Sequence, residues 1–386
     1  MASCPVLFET VWDSVHDGWA TASRAYTRAM AEAGIDVRLT SWMEVQYPLH
    51  DAVQAQVGHL QVTEEWAAKY RAARASSGAV YIFSTAFGGE EQMIEPLRRL
   101  RDLSMPPRML YTMFERSNVS ESLAKRLNAL DGVWVPSNAN RGALEAAGCH
   151  NATWIPYPYF DDDPHLQIPL LRELKTFYWI GRWEPRKAPD NLIRAFLRAF
   201  KPGESKLVLK LGPHKWSMIQ GCFFEEPESV INGELMQDAV AENGWNTSNV
   251  YSDIELLKGT HSPQEMVELH ARCDIYISAS RGEGIDLPAH AAKLAGRRLV
   301  TTNSGGPIDF IGEGDILVSS TGSIPAPEYA WLWGPDGQYN DYELEALVKA
   351  MQRARESGQP KRLPPRFRSS LVGALLKEWI EKRCPQ

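Results

Sequence analysis

The sequence has few cysteines and no long apolar run. Its 386 residues include five cysteines, which are scattered and form no CxxC pair, so we expect reduced thiols rather than a disulfide framework or a structural zinc site. No segment approaches the roughly 18 apolar residues of a membrane span. The first residues also lack the basic and apolar segments of a signal peptide. These absences predict a cytoplasmic protein without stable membrane insertion.

The chain also lacks an excess of positive charge, because 41 basic residues stand against 48 acidic ones and give a net charge of −7. This balance disfavours a protein that clamps a nucleic-acid duplex along its length, although a local basic groove is compatible with it. Local basic groups occur at Arg98, Arg99 and Arg101, and at Lys361, Arg362, Arg366 and Arg368. Such groups usually lie on solvated helix or linker faces.

Short β-branched or aromatic runs alternate with helical segments along the chain, and this pattern predicts parallel α/β sheets. Apolar residues make up 44% of the sequence, which excludes wholesale disorder. The predicted strands are Val6–Thr10, Asp36–Thr40, Ala79–Ser84, Arg108–Met113, Gly132–Val135 and Ala152–Ile155, then Thr176–Ile180, Lys206–Leu211, Val250–Ser252, Asp274–Ala279, Arg298–Thr302 and Ile316–Ser319.

A turn-rich segment from Pro156 to Pro164 separates the two series of strands. We therefore predict two Rossmann-like α/β domains, residues 1–163 and residues 164–365. Apolar residues at helical spacing predict a final helix, which we assign with residues 366–386 to the first domain. Such sheets bind ligands at the carboxyl ends of their strands, which places the expected site in the cleft between the domains.

Two cations follow the strand that ends at Gly181. Arg182 and Lys187 lie in the loop before a helix that opens with Pro189, a residue suited to the first helical turn. The free N–H groups of the helix start and the two side chains can converge on one point, which suits a phosphate group. Solvated loop charges are the alternative interpretation.

A glutamate lies just beyond the carboxyl end of the strand Asp274–Ala279. Glu283 belongs to the loop Ser280-Arg-Gly-Glu-Gly-Ile-Asp-Leu287, and a helix starts near Pro288. That position faces the ligand crevice of a parallel sheet, although an acid that satisfies local turn amides would also fit it. Gly305 and Gly306 follow another strand, where a backbone without side chains can approach a ligand closely.

In this order and spacing, the motifs resemble retaining glycosyltransferases of the GT-B fold, in particular the family-four group, glycosyl transferases group 1. The resemblance covers nearly the whole chain and is strongest from Phe177 to Val318. It implies two Rossmann-like domains that face each other across a cleft, with a C-terminal helix that crosses back. It also implies a UDP- or GDP-linked sugar donor and no metal or other cofactor.

The resemblance further implies roles for individual residues. The donor-binding residues would be Gly18, Gly181, Arg182, Lys187, Ser280, Glu283, Gly284, Ile285, Asp286 and Leu287. The catalytic residues would be Glu283, Arg182, Lys187 and Glu115. Glu115 would act in acid–base chemistry or in positioning the acceptor, with a purely structural role as the alternative. His16, near Gly18, is a second candidate for such a role, unless it is simply solvated.

The sequence departs from the family pattern at position 291. The family usually has a second glutamate there, which holds the ribose hydroxyls, whereas this chain has Ala291. His290 and Lys293 lie about 100° and 200° away around the helix, so neither is expected to substitute. The nucleotide therefore stays open. Asp161-Asp162-Asp163 matches a metal-binding Asp-x-Asp string, but we interpret it as a solvated acidic linker.

Alternative functions remain compatible with the sequence. A catalytically weak nucleotide-sugar-binding protein would explain the missing glutamate, and a phosphorylase would need a lysine that holds a pyridoxal cofactor, which we do not identify. The sequence does not identify the acceptor, which can be a glycan, a lipid-linked sugar, a small metabolite or a modified base in DNA, such as 5-hydroxymethylcytosine.

Overall fold

The computed structural model describes residues 4–15, 17–41, 45, 48–75, 78–84, 108–170, 174–212, 226–326, 336–356 and 360–384. Three features of the sequence lie outside these residues: His16, the basic group at Arg98, Arg99 and Arg101, and one of the five cysteines, Cys222. The other candidate site residues all lie within the described part of the chain.

The first half of the chain forms a six-stranded parallel sheet. Its strands are β1 (Val6–Glu9), β2 (Val37–Thr40), β3 (Val80–Ser84), β4 (Arg108–Tyr111), β5 (Gly132–Val135) and β6 (Ala152–Trp154). They lie in the order β2-β1-β3-β4-β5-β6, and every neighbouring pair is parallel. The six predicted strands of this half are confirmed, with ends that differ by at most two residues.

Side-chain caps fix where the chain turns from these strands into helices. The described helices of this half are α1 (Gly18–Glu32), α2 (Asp51–Val57), α3 (Glu64–Ala75), α4 (Glu121–Leu127) and α5 (Asn138–Ala146). Asp17 accepts a hydrogen bond from the backbone N–H of Ala20, and Ser137 accepts one from Asn140. Each cap satisfies an N–H group that a helix start leaves unpaired. They anchor α1 and α5 at the carboxyl edge of the sheet.

Aromatic side chains fill the core between this sheet and α1. The ring of Tyr111 lies 4.8 Å from that of Trp134 and 5.1 Å from that of Tyr26. Tyr26 donates a hydrogen bond to the carbonyl oxygen of Ile155 at 2.8 Å. Buried aromatic pairs of this kind contribute packing energy and restrict the geometry of the layer. The core thus gives a rigid base to the loops at the end of β4.

The second half forms another six-stranded parallel sheet and a hairpin. The strands are β7 (Thr176–Gly181), β8 (Lys206–Leu211), β9 (Ile254–Leu257), β10 (Ile275–Ser278), β11 (Arg298–Thr302) and β12 (Ile316–Val318). Their order is β12-β11-β10-β7-β8-β9. The antiparallel hairpin consists of β13 (Gly322–Pro325) and β14 (Gln338–Asp341).

One predicted strand of this half is wrong. Residues 250–252 belong to a helix, and the strand begins at Ile254. The side chain of Asn246 accepts hydrogen bonds from the backbone N–H groups of Ser248 and Asn249, which turns the chain into a helical segment. The run of apolar residues that forms the strand starts only after that turn.

The helices of the second half follow the predicted starts where a cap or a proline marks them. They are α6 (Pro189–Ala199), α7 (Pro227–Leu235), α8 (Asp238–Glu242), α9 (Val250–Asp253), α10 (Pro263–Arg272), α11 (Leu287–Leu294), α12 (Leu344–Ala354) and α13 (Ser369–Glu381). Short 3₁₀ turns span Gly58–Leu60, Pro164–Gln167, Gly306–Asp309 and Pro365–Phe367. Before α10, Ser262 and Glu265 form a reciprocal capping box.

The C-terminal helix α13 returns to the first sheet, as predicted. It packs against α1, and a Cβ atom added at Gly373 would lie only 2.5 Å from the carbonyl oxygen of Ala29. The ring of Trp379 meets Trp134 edge to face at 5.5 Å. The small residue at position 373 therefore permits the close approach of the two helices.

The three consecutive aspartates of the linker, Asp161–Asp163, form contacts beside this returning segment. Asp161 pairs with Arg368 at 2.6 Å, and Asp162 pairs with Arg28 of α1 at 2.8 Å. Asp163 caps the 3₁₀ turn by accepting from the backbone N–H of His165. Asp161 and Asp162 remain well exposed, as expected, but all three carboxylates have protein partners. Surface pairs of this kind contribute little energy individually.

The prediction of reduced thiols throughout is wrong for one pair. Cys4, which precedes β1, and Cys384, which follows α13, form a disulfide. Their separation of 380 residues conceals this pairing in the sequence, because only the return of α13 brings the two segments together. Cys149 and Cys273 carry free, buried thiols.

Replacement of Cys384 by serine is expected to lower the free energy of unfolding by about 2–5 kcal/mol, because the disulfide restricts the unfolded chain. Chemical denaturation without reductant measures the difference. Dithiothreitol should bring the wild type to the level of the variant. Equal stabilities without reductant would show that the pair does not form.

Candidate active site

Three neighbouring strands of the second sheet end beside one another at the candidate site. The loops after β7, β10 and β11 carry residues 182–188, 279–286 and 303–306. Since β10 lies between β7 and β11, these loops meet at one edge of the sheet. Parallel sheets place ligand sites at this edge. The predicted phosphate and sugar motifs are therefore adjacent.

Glu283 and Lys187 form an ion pair at the centre of the site. Lys187 Nζ lies 2.5 Å from Glu283 Oε1, and Glu283 is only 4% exposed. Burial opposes ionisation of Glu283, but the positive charges of Lys187 and Arg186 outweigh it and lower the pKa of the carboxyl group. Glu283 is therefore ionised at neutral pH.

The backbone of Glu283 is clamped by the loop after β11. Its N–H donates to the carbonyl oxygen of Ser304 at 2.7 Å, and its own carbonyl oxygen accepts from Gly306 at 3.1 Å. Gly305 lies between them with φ of +115°, and a Cβ atom there would come within 2.0 Å of the Glu283 carbonyl oxygen. Only glycine fits this close contact. The two glycines thus support the acidic loop.

Arg186 is a central residue that the sequence motifs did not single out. Its side chain is 1% exposed and lies 2.6 Å from Glu184, 3.1 Å from Glu115 and 3.2 Å from Glu283. The only available signal was its position in a loop already rich in charge. Glu115, its partner from the first domain, reaches it only when the two domains come together.

Glu115 reaches the cluster from the opposite domain. It lies in the loop after β4, and its Oε1 contacts Arg186 Nη2 across the cleft. Burial raises the pKa of Glu115, Arg186 counteracts that effect, and the negative charges of Glu283 and Glu184 add to it. Its pKa therefore shifts in the direction that an acid–base group would require.

The remaining predicted residues of the acidic loop are buried around this cluster. Asp286 caps α11 at φ of +61° and accepts hydrogen bonds from Ser278 Oγ and the Ala289 N–H. Burial, followed by the charge of Glu283, raises the pKa of Asp286. Ser280 Oγ donates to the carbonyl oxygen of Arg186 at 3.2 Å. Asp286 and Ser280 thus shape the loop through internal hydrogen bonds.

The predicted residues Gly18 and Gly284, and Gly282 of the same acidic loop, contact the other domain directly. A Cβ atom at Gly282 would lie 1.8 Å from the carbonyl oxygen of Glu115, and one at Gly284 would lie 3.0 Å from the sulfur of Met113. Gly18, at the start of α1, lies against Leu287. The structure therefore brings Gly18 and Glu115 to the loop of the second domain that holds Glu283, Gly284, Ile285 and Leu287.

Arg182 lies at the outer side of this cluster. Its side chain is 41% exposed, and its Nε lies 3.6 Å from Glu184. Gly181 ends β7 and accepts a hydrogen bond from the Gly212 N–H. Arg182 therefore remains accessible from the solvent, whereas Lys187 is largely enclosed.

Hydrogen bonds outside the charge cluster also join the domains. Asn118 donates to the carbonyl oxygen of Asp336 at 2.8 Å and accepts from the N–H of Gln338 in β14 at 3.0 Å. Asn138, at the start of α5, donates through its backbone and its side chain to the two carboxylate oxygens of Asp309. These contacts hold the described parts of the domains in register around the site.

Neither residue near position 291 is available to replace the missing glutamate. Lys293 forms a buried ion pair with Asp315, and both side chains are at most 1% exposed. The ring of His290 packs against Tyr157 at 4.8 Å and against Phe310 at 5.7 Å. The ion pair of Lys293 and the ring contacts of His290 thus hold both side chains within the second domain and the linker.

Burial lowers the pKa of His290 to about 4, while Asp163 acts in the opposite direction. In the unfolded chain this histidine takes up a proton near pH 6.5, whereas in the native state it does so only near pH 4. The free energy of unfolding is therefore unaffected by His290 above pH 6.5 and decreases as the pH falls from 6.5 towards 4. Replacement by phenylalanine, which retains the aromatic packing, should remove about 3 kcal/mol of this acid-dependent loss. Urea unfolding at several pH values measures it. Parallel stability curves for the two proteins would contradict the assignment.

Among the described residues, no group of three or more histidine, cysteine, aspartate or glutamate side chains could hold a metal ion. The helices of the described ranges are also too short or too polar to cross a bilayer.

No known family profile matches the chain, and no curated protein matches it by sequence. Solved structures match it over nearly its full length. HepE from Anabaena, in complex with UDP and glucose, is 12% identical with a TM-score of 0.56, and the match covers 98% of this chain and 100% of HepE. The apo form of the lipopolysaccharide outer core galactosyltransferase WaaB is 12% identical with a TM-score of 0.60, covering 98% and 99%.

Sucrose-phosphate synthase from Thermosynechococcus elongatus is 16% identical with a TM-score of 0.54, covering 99% of this chain and 95% of the synthase. The chain has the GT-B fold. The GT-B fold class predicted from the sequence is therefore confirmed, with two Rossmann-like sheets and a returning C-terminal helix. Identities of 12–16% establish the GT-B fold and leave the activity to be argued from the site.

Proposed function

We propose that the protein is a nucleotide-sugar-dependent glycosyltransferase. The observation that carries the proposal is the charge cluster in the cleft, where Lys187 and Glu283 lie on adjacent loops at the carboxyl edge of the donor sheet. The likeness of the sequence motifs to family-four enzymes supports it. HepE, a structure of the same fold, was solved with UDP and glucose.

We assign the donor diphosphate to Arg182, Lys187 and the first turn of α6. When the diphosphate leaves, negative charge develops on its oxygen atoms. Fixed cations and helix N–H groups can stabilise this charge without a metal ion. Glu283, ionised and fixed by its loop, would accept hydrogen bonds from hydroxyl groups of the transferred sugar. UDP and GDP carry the same ribose, so Ala291 in place of the ribose-binding glutamate does not distinguish them, and both are kept as candidate donors.

We propose that transfer retains the configuration at the anomeric carbon. The acceptor hydroxyl would attack from the face that the diphosphate leaves, and a diphosphate oxygen would take its proton. No separate general base is then required. Glu115, whose carboxyl group faces the site from the first domain, would position the acceptor or share in proton transfer.

The acceptor classes are a glycan, a lipid-linked sugar, a small metabolite and a modified DNA base. The described basic residues near the C-terminus count against DNA, because Arg362 and Arg366 donate to backbone carbonyls and Arg368 pairs with Asp161.

The cytoplasmic location expected from the sequence has one observation against it, the Cys4–Cys384 disulfide, since such bonds are rare in reducing compartments.

Ala291 favours a second candidate function, a nucleotide-sugar-binding protein with little turnover. Loss of a carboxylate that accepts hydrogen bonds would remove roughly 1.5–3 kcal/mol of donor binding. A binder would be stabilised by its nucleotide without consuming a sugar donor.

A screen for nucleotide release distinguishes the two functions. The purified protein is incubated with UDP- and GDP-sugars and with acceptors of the four classes, including hydroxymethylated DNA, while free UDP or GDP is measured. The glycosyltransferase predicts acceptor-dependent release with one donor. A rise in melting temperature with a nucleotide, but no release, would support the binding protein instead. No response to any donor would exclude both.

A further inference from the structure

Arg186 fastens the two loops of the donor site to each other. Its Nη1 donates to the carbonyl oxygen of Gly282 at 2.6 Å. Its own carbonyl oxygen accepts from the N–H of Arg281 at 2.7 Å and from Ser280 Oγ. The loop before α6 and the loop before α11 therefore share one residue through both its backbone and its side chain.

The guanidinium of Arg186 also balances carboxylates from both domains. Glu184 and Glu283 belong to the second domain, whereas Glu115 belongs to the first. Lys187 pairs directly with Glu283 at 2.5 Å, and its charge also acts on Glu115. A cation that is 1% exposed and surrounded in this way is a poor candidate for contact with a ligand.

Binding of a diphosphate changes the balance around Glu283. The diphosphate carries more charge than one carboxylate and competes for Lys187, which is the cation next to the phosphate position assigned above. Glu283 then depends on Arg186 for compensation. A buried carboxylate without a cation would cost several kcal/mol or take up a proton.

We propose that Arg186 is a positioning residue, which keeps Glu283 ionised and oriented towards the sugar while Lys187 turns to the diphosphate, and which holds Glu115 across the closed cleft. This inference rests on the proposed glycosyltransferase function. Arginine suits the role because its planar group presents five N–H donors in a fixed arrangement, so one side chain serves several acceptors at once. Lysine offers a single point of charge.

The charged groups that face Glu283 come from three parts of the chain. Arg186 and Lys187 approach from the loop before α6, Glu115 approaches from the first domain, and Asp286 lies in the same loop as Glu283. Glu184 still has Arg182 when Arg186 is lost, whereas Glu115, Glu283 and Asp286 are left with Lys187 as the remaining cation that acts on all three. The acidic limb of the pH–rate profile should move to higher pH as a result.

The first test replaces Arg186 by lysine. We expect kcat to fall about 100-fold and the donor KM to change less than threefold. We also expect the acidic limb of kcat to shift upward by up to about one pH unit, because lysine places its charge beside one carboxylate and leaves the other two of Glu115, Glu184 and Glu283 without the contact that Arg186 gives them. Arg194→Lys is the matched control, because Arg194 also pairs with two carboxylates, Asp190 and Glu234, outside the cleft. An active wild type whose Arg186→Lys variant keeps kcat within threefold, with an unshifted limb, would overturn the positioning role alone.

A second test needs no donor. Arg186→Met leaves the buried carboxylates without their shared cation, so its loss of stability relative to the wild type should be larger at pH 8 than at pH 5. A role in packing alone would give the same loss at both pH values and would overturn the inference. A wild type that releases no nucleotide from any donor would overturn the positioning role together with the proposed function.

Discussion

Glu283→Ala is expected to abolish sugar transfer while the protein still folds. In the proposed function this side chain supplies the ionised carboxylate that binds the transferred sugar, so kcat should fall by at least about 100- to 1000-fold, the loss typical of one fixed electrostatic group. Folding should survive, because the hydrogen bonds that the backbone of residue 283 donates to Ser304 and accepts from Gly306 are independent of its side chain. Donor turnover and circular dichroism of the purified variant measure the two effects.

Lys187→Ala should give a comparable loss, since it removes the partner of Glu283 and the proposed diphosphate contact together. Glu255→Ala is a suitable control. Glu255 forms an exposed ion pair with Arg272 on β9 and α10, so its loss should leave turnover unchanged. Near-normal turnover in a folded Glu283→Ala or Lys187→Ala variant would remove the site assignment.

Gly282→Ala should also lower the rate of transfer strongly, because it disturbs the contact between the two domains rather than a charged group. The added methyl group would lie 1.8 Å from the carbonyl oxygen of Glu115, which belongs to the backbone of the other domain and cannot rotate away. The domains must then separate by about 1 Å at this point, and misplacement of that size can cost about 100-fold in rate. We expect kcat/KM to fall by that factor, with each domain still folded.

Gly142→Ala provides the matched control, because a Cβ atom at this position in α5 meets no atom within 4 Å. Alanine there should leave turnover intact and add up to about 1 kcal/mol of stability, the usual gain over glycine within a helix. If Gly282→Ala retained full kcat/KM, the close contact between Gly282 and Glu115 would not belong to the active arrangement.

The sequence predicted the fold well where local signals agree. Strands such as β8 and β11 combine β-branched or aliphatic residues with clear ends, and the start of α10 is marked by a serine, a proline and a glutamate at capping positions. The Glu283 loop could be located because it follows a buried strand directly. These features depend on neighbours within about ten residues.

Features that depend on distant residues could not be predicted. The role of Arg186 requires Glu115, which lies 71 positions earlier and reaches it only when the two sheets face each other. The disulfide requires the return of α13. The late start of β9 differs from these two, because its cause is local, a turn that the side chain of Asn246 stabilises. In each case the energy comes from a tertiary contact or a side-chain hydrogen bond that periodicity does not encode.

The return of α13 to α1 has a consequence for synthesis of the protein. The helix that completes the first domain lies at residues 369–381, so a chain emerging from the ribosome cannot finish that domain until the second domain has been made. The second domain, by contrast, has all its strands by residue 341. We therefore expect truncation of the last twenty residues to expose the apolar face of α1 and to cause aggregation of nascent chains, although the second domain is intact.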